Sequence, residues 1–338
     1  TARRTEREQR EGGPAERQAA ERERALRAGV GVNPVEFGGA EVRCRPGFGR
    51  LDEAAPRPQG QRRASGRHDR DPQRDRQPDT TIVHSSETLD SDATPPTRVA
   101  LLSDVHGNLP AFEAVLADIR REGVDARWCL GDLVGYGAQP DECVALAADA
   151  CEVCLVGNHD LVVIGELDVG DFSANAAIAA TWTQEHIDRK SVDYLSGLRS
   201  GDEDHPVGLY HASPRDPVWE YVLSTSQAGA CMDTMKPRVG AIGHSHVALW
   251  FTRSNGGVSG DMAPAGTELD VSEGDWLINP GGVGQPRDGD PRAAWLLLDL
   301  ERWTATWRRV EYPVEEAARA IHDAGLPAAL GDRLYMGQ

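Results

Sequence analysis

The chain is predicted to be an α/β protein with its polar chemistry at the carboxyl ends of strands. Short apolar runs alternate with helix-patterned stretches from residue 98 onward, and strand-like runs dominate later. The loops that follow those runs hold Asp, His, Asn and Gly. Open α/β sheets place their sites at that position.

The elements follow in order. Residues 99–103 are apolar and read as a buried strand. Asn108 suits an N-cap, and Pro110 is tolerated in a first turn. Phe112, Val115, Leu116 and Ile119 fall at helical spacing, and Gly123 stops that helix. A strand at 128–130 leads into Gly131-Asp132, and Pro140 opens a helix to Ala150. A third strand at 153–156 leads into the loop Gly157-Asn158-His159-Asp160. An Ala-rich helix is expected over about 173–188, and a short one over 192–198.

A strand at 207–210 ends at His211, and another at 239–242 ends at Gly243-His244-Ser245-His246. The chain should return as a strand over 247–252. Residues 254–274 are rich in Gly, Ser, Asp and Glu, which suits a hairpin or loop. A strand at 276–278 runs into Asn279-Pro280-Gly281-Gly282. Residues 295–300 and 304–310 pair as a hairpin turning at Glu301-Arg302, and a last helix covers 315–324. The folded domain is expected at 98–326, with 327–338 as a flexible end.

Residues 1–97 differ in composition, being rich in Arg, Glu, Gln, Gly and Pro. They lack the apolar surface to offset ordering entropy, so a disordered tail is expected. An over-long gene start is the other reading, because no Met occurs before Met232. Within this stretch residues 16–27 suit a solvated charged helix.

The formal net charge is −18. Residues 1–97 hold 18 Lys+Arg against 17 Asp+Glu, which leaves 18 against 37 and a net of −19 for the rest. Such a body is a poor general partner for nucleic acid or anionic membrane. If it acts on phosphates, the positive charge must be local, and bound metal ions would supply it. No apolar run approaches the roughly 18 residues that span a bilayer, and the first residues lack a secretory apolar core. Of six cysteines, Cys151 and Cys154 form a lone Cys-x-x-Cys without a second pair. Buried structural thiols in a reducing cytoplasm are the expectation.

Seven residues in those loops are candidate metal ligands: Asp104, His106, Asp132, Asn158, His211, His244 and His246. A mixed Asp/His/Asn set suits Mn, Fe, Zn or Ni and lacks the thiolates of a structural zinc site. Seven exceed what one ion needs, so two divalent ions sharing a carboxylate fit better. Manganese heads that list.

The motifs Asp104-Val105-His106-Gly107-Asn108, Gly131-Asp132, Gly157-Asn158-His159-Asp160, His211 and Gly243-His244-Ser245-His246 resemble those of the calcineurin-like metallophosphoesterases, in the same order. The resemblance covers about 98–310 and is nearest the small bacterial phosphodiesterase-type branch. It implies a four-layer α/β/β/α sandwich of two mixed sheets flanked by helices. It also implies Asp104, His106 and His246 on one metal, Asn158, His211 and His244 on the second, and Asp132 bridging. A hydroxide held between the ions would attack phosphorus in line. His159 would donate a proton to the leaving oxygen, or stabilise phosphoryl charge as imidazolium.

The segment Gly131-Asp132-Leu133-Val134-Gly135-Tyr136-Gly137 lacks the Asp-Arg pair of the protein phosphatase branch. That weakens a phosphoprotein reading and leaves open which group orients His159. The expected substrate is a small phosphodiester. A phosphomonoester, a dinucleoside polyphosphate or a non-catalytic scaffold are the alternatives. Arg215 and Arg287 are either surface charges or phosphate contacts. Tyr136, Trp219 and Tyr221 either pack or line a leaving-group pocket, whereas Trp182 on the Ala-rich helix suits core packing.

Overall fold

The computed structural model describes residues 95–338. The expected tail, its helix at 16–27 and Cys44 lie outside the described residues, apart from 95–97.

The first sheet is built on β1, Arg98–Leu102, with β2 at Ala126–Cys129 and β3 at Val153–Cys154 beside it in parallel. On the other side of β1 lie β11, Ala293–Asp299, and β12, Thr304–Val310, both antiparallel to their neighbours. A three-residue strand, β9 at Glu268–Asp270, closes that edge on β12. The order is β3-β2-β1-β11-β12-β9, so β1 is interior.

The second sheet joins β4 (Gly201–Asp202), β5 (Gly208–Tyr210), β6 (Val239–Ala241), β10 (Asp275–Asn279), β7 (Leu249–Ser254) and β8 (Gly257–Met262), in that order. Strands β5, β6 and β10 are parallel to one another, while β7 and β8 form an antiparallel hairpin beyond them.

Period-two alternation explains the layering. Along β1, Val99 and Leu101 join Leu209, Val239, Ala241, Ile278 and Trp307 in a core between the sheets. Ala100 and Leu102 face the other way, into a core with helices α1 (Leu109–Glu122), α2 (Pro140–Ala150) and α7 (Val314–Asp323). Burial on both faces is why β1 reads as a continuous apolar run rather than an alternating one. The outer face of the second sheet carries Leu249, Phe251 and Leu277 against Ala228, Cys231 and Met232 of α6, Thr225–Met232. The layers are therefore helix, sheet, sheet, helix, as the resemblance implies. Between β3 and β4 lie α3 (Asn158–Val163), α4 (Ala174–His186) and α5 (Arg189–Ser196).

Capping behaves as the residues suggest for α1. Asn108 Oδ1 accepts from Ala111 N at 3.2 Å, and Gly123 ends the helix at φ 71°.

Three local expectations change. Asn158-His159-Asp160 is the first turn of α3, not loop. Residues 254–274 split between the sheets, β8 pairing with β7 and β9 with β12. Residues 327–338 form α8, Ala328–Asp332, and a 3-10 turn, Arg333–Met336, in place of a flexible end. The physical reason is Leu330 and Leu334, four apart, which are buried in the helix-side core.

Candidate metal centre

All seven candidate ligands, and His159, come together where strands of both sheets end. β1 supplies Asp104 and His106, β2 supplies Asp132, and the turn into α3 supplies Asn158. β5 supplies His211, and the loop after β6 supplies His244 and His246. The eight are between 0 and 4% exposed.

The backbone bends sharply to bring them in. Among the described residues eight non-glycines have positive φ, and five of them are Asp104, His106, Asp132, His244 and His246. Left-handed backbone is uncommon for such residues and is retained where surrounding structure over-determines it. Here Asp104 N donates to Gly131 O at 3.0 Å, His106 N to Asp132 O at 2.9 Å, and Gly107 N to Leu133 O at 2.9 Å. The loops after β1 and β2 thus hold each other in shape.

Each ligand histidine is fixed by its far nitrogen. Nδ1 lies 3.0 Å from Val134 O in His106, 2.9 Å from Leu130 O in His211, and 2.6 Å from Gln285 O in His246. The Trp219 carbonyl accepts from the His244 ring. A carbonyl only accepts, so Nδ1 of the first three must carry the proton and Nε2 a lone pair. Burial also holds these four rings neutral, pushing their pKa values down. Backbone carbonyls that set the tautomer in this way are the usual support for metal-binding imidazoles.

The Nε2 atoms converge. Those of His106 and His246 are 3.1 Å apart, two lone pairs facing each other. Both approach carboxylates at 3.5 Å, His106 to Asp132 Oδ2 and His246 to Asp104 Oδ1. On the other side His211 Nε2 lies 3.5 Å from Asp132 Oδ2 and 3.2 Å from Asn158 Oδ1. Asp132 Oδ2 and His244 Nε2 are buried with no hydrogen-bond partner. Burial pushes the carboxyls of Asp104 and Asp132 up to about 7. Facing lone pairs, orphaned donor atoms and desolvated carboxylates are all relieved by cations. Two groups of ligand atoms could each hold one: Asp104, His106, Asp132 and His246, and Asp132, His211 and His244. Asp132 belongs to both.

Asp132 needs a glycine opposite. Its Oδ1 accepts from His159 N at 2.9 Å, and a methyl at Gly157 would strike that oxygen and meet Asp132 N at 2.7 Å.

His159 is held differently. Its Nδ1 has no hydrogen-bond partner. The ring is packed instead, 4.4 Å from Tyr136, 4.4 Å from Phe172 and 4.8 Å from His106, centroid to centroid. Asp160 does not touch the ring. Its carboxylate accepts from Gly157 N at 2.9 Å and Val134 N at 3.0 Å, clamping the two loops together.

The arginines separate. Arg215 pairs with Glu220 at 3.4 Å and is 44% exposed. Arg287 turns to the centre, with Nη2 2.9 Å from Gln285 Oε1 and its guanidinium 5.6 Å from the Tyr136 ring. Both ends of the Asn108 amide are engaged, Oδ1 as the helix cap and Nδ2 donating to Gly284 O at 2.8 Å. Trp182 stacks on His186 at 4.1 Å on α4 and packs against the helix-side core.

Phe172 and Arg333 were not singled out from sequence. Phe172 has a faint signal, a lone aromatic within a polar stretch. Arg333 comes from the 3-10 turn after α8, and its pKa falls to about 10 through burial and the like charge of Arg287. No linear pattern connects it to the centre.

The comparisons with known proteins agree with this fold. The family model described as the calcineurin-like phosphoesterase superfamily domain matches residues 98–302. The uncharacterized protein MJ0912 of Methanocaldococcus jannaschii is 36% identical over 71% of this chain and 98% of its own length. A metallophosphoesterase from Sphaerobacter thermophilus is similar in structure, with a TM-score of 0.66, 37% identity, and coverage of 72% of this chain and 100% of that one. The hypothetical protein PH1004 of Pyrococcus horikoshii shares the fold at a TM-score of 0.58 and 21% identity, over 71% of this chain and 98% of its own. On the match across 98–302 and a relative alike over nearly its whole length, this chain belongs to the calcineurin-like phosphoesterase superfamily.

Proposed function

We propose that this chain is a dinuclear metal-dependent phosphoesterase that hydrolyses small phosphodiesters, as in the small bacterial phosphodiesterase-type branch. The observation that carries the reading is Asp132 shared by two ligand groups, with His159 packed beside one of them. Asp104, His106 and His246 would hold one ion, Asn158, His211 and His244 the other, and Asp132 both. Two bound divalent ions would supply Lewis acidity toward phosphoryl oxygens and lower the pKa of water. The donor set of carboxylate, imidazole and amide suits manganese, with Fe, Zn or Ni as alternatives.

The chain's own residues do the rest. Arg287 would position the ester through its phosphoryl oxygens, since a guanidinium is the cation turned toward the site. His159 would donate a hydrogen bond from its ring N–H to the leaving oxygen and so stabilise the charge that develops there. Burial pushes its pKa well down, so the neutral ring with one N–H is the form supported, ahead of imidazolium. Tyr136 and Phe172 would fix the ring's direction and exclude water. The acidic body argues for a small substrate rather than nucleic acid, and the free cysteines suit a cytoplasmic setting.

The test is hydrolysis of an activated aryl phosphodiester by manganese-loaded protein, beside a monoester and a dinucleoside polyphosphate. The diester should be preferred. Asn158→Ala and His211→Ala should each lower kcat by roughly a hundredfold or more, through loss of one ion. Wild-type turnover in both variants would refute the two-metal reading.

A further inference from the structure

We propose that Trp219 and Tyr221 form a stacking platform for a planar aromatic leaving group on the ester cleaved at the adjacent centre. This rests on the phosphoesterase reading and narrows its substrate class.

Tyr221 is 44% exposed, one of four large exposed apolar side chains among the described residues. The other three, Ile178, Tyr335 and Met336, make no contact with the ligand rings that is comparable to its own. Its ring lies 4.1 Å from that of His244, tilted by 30°. The ring therefore packs on a candidate metal ligand while part of the residue stays exposed. An exposed aromatic ring beside a site offers a flat surface on which a substrate ring can stack.

Trp219 sits two residues earlier on the same loop. It meets Phe172 edge-on at 5.9 Å and 78°, and Phe172 packs on His159 at 4.4 Å. His159 is the residue assigned to the leaving oxygen. The aromatic side chains thus lie on the leaving-group side of the centre. Tyr136 completes the wall, 4.4 Å from His159 and close to the Arg287 guanidinium.

The loop is preorganised. Ser213 Oγ accepts from Arg215 N at 3.1 Å and Asp216 N at 3.0 Å, and it donates to Glu220. Asp216 Oδ1 accepts from Val218 N at 3.2 Å and Trp219 N at 3.1 Å. The Trp219 carbonyl in turn holds the His244 ring. Such a loop presents its rings without an ordering penalty at binding. Offset or tilted ring pairs prefer centroid separations of roughly 4.5–7 Å, so a ring on the ester oxygen can reach a platform that already touches a ligand histidine.

The experiment compares phenyl methyl phosphate with cyclohexyl methyl phosphate, using manganese-loaded full-length protein. A nucleoside 5′-methyl phosphodiester forms the third arm. Wild type should favour the phenyl ester over the cyclohexyl ester in kcat/KM beyond the difference in solution. Tyr221→Leu, which keeps apolar bulk but loses the flat face, should lower that ratio roughly tenfold, mainly through KM. Tyr221→Phe should restore it. Preference for the nucleoside arm over the phenyl arm identifies a base as the ring, and the reverse a simple aryl group.

Binding is followed separately by quenching of tryptophan fluorescence with phenylphosphonate against cyclohexylphosphonate, which Trp219→Phe should remove. Hydrolysis of all esters with an equal phenyl-to-cyclohexyl ratio in wild type and Tyr221→Leu overturns the platform and leaves the esterase reading standing. Aryl-selective quenching lost in Trp219→Phe, with no ester hydrolysed, supports the platform and overturns the esterase reading.

Discussion

His106 and His246 approach each other through their Nε2 atoms at 3.1 Å while both Nδ1 atoms are tied to carbonyls. Neither ring can turn away without breaking a buried hydrogen bond, a loss of about 1–3 kcal/mol each. The residues that make such a pair tolerable act at single positions. Gly157→Ala would push Asp132 out of both ligand groups and should weaken divalent-ion affinity roughly 10–100-fold, read by calorimetric titration with manganese. Unchanged affinity would mean that Asp132 is not shared. His159 sits outside the ligand groups, so His159→Ala should lower kcat by roughly 10²–10⁴ while bound metal, measured by elemental analysis, stays at the wild-type level. Metal lost in proportion to rate would move His159 into the ligand set. At this scale the sequence was informative about which side chains gather, because the candidate ligands fall shortly after apolar runs. It was silent on what aims His159, because the ring contacts to Tyr136 and Phe172 form only after folding.

The elements work by delivering strand ends to one place, and β1 lies inside its sheet between β2 and β11. Its start is clamped by Asp125, whose Oδ2 accepts from Thr97 N at 2.9 Å, Thr97 Oγ1 at 2.9 Å and Arg98 N at 2.8 Å. These bonds, that from Arg98 N first, hold the Asp125 carboxyl below its usual range. A depressed carboxyl pKa stabilises the fold above the unfolded value, and the effect is lost as pH falls through the folded one. Asp125→Ala should therefore lower Tm at pH 7, and the gap to wild type should narrow as pH falls below about 4. A gap constant from pH 7 to 3, followed by circular dichroism, would mean that the carboxylate is irrelevant to the clamp. Long patterned elements were legible in advance: α1 from its apolar spacing and its Asn108 and Gly123 ends, and the β11–β12 hairpin from two apolar runs around Glu301-Arg302. Two short strands were not. β4 has two residues and β9 three, and each owes its existence to a partner strand rather than to its own pattern. α6 carries little periodic signal, and α3 hides among ligand residues that read as loop.

Across the whole molecule, two sheets meet at a buried cluster of Asp, Asn and His side chains, and the charge problem there is felt by the entire fold. Asp132 Oδ2 and His244 Nε2 have no partner within the protein, and a bound cation would give both one. Manganese or zinc at about a hundredfold above Kd should raise Tm by roughly 5–10 °C over chelated protein in a thermal scan. No shift with any divalent ion would mean that the cluster is not a metal centre. The order of layers was expected from the family resemblance, since β1 is apolar on both faces, but the joining of the C-terminal turn to the helix-side core was not, because Leu330 and Leu334 are too few to announce it.

The candidate ligands are at most 4% exposed, and the Tyr136 and Tyr221 rings pack on His106 and His244. An ion held among groups so buried would leave only as those rings part, so its residence time would follow protein breathing as well as coordination chemistry. A metal carried through a purification would then record which ion was abundant when the chain folded around it. Ranking ions by activity therefore calls for unfolding and refolding the protein in each one, rather than soaking the finished molecule.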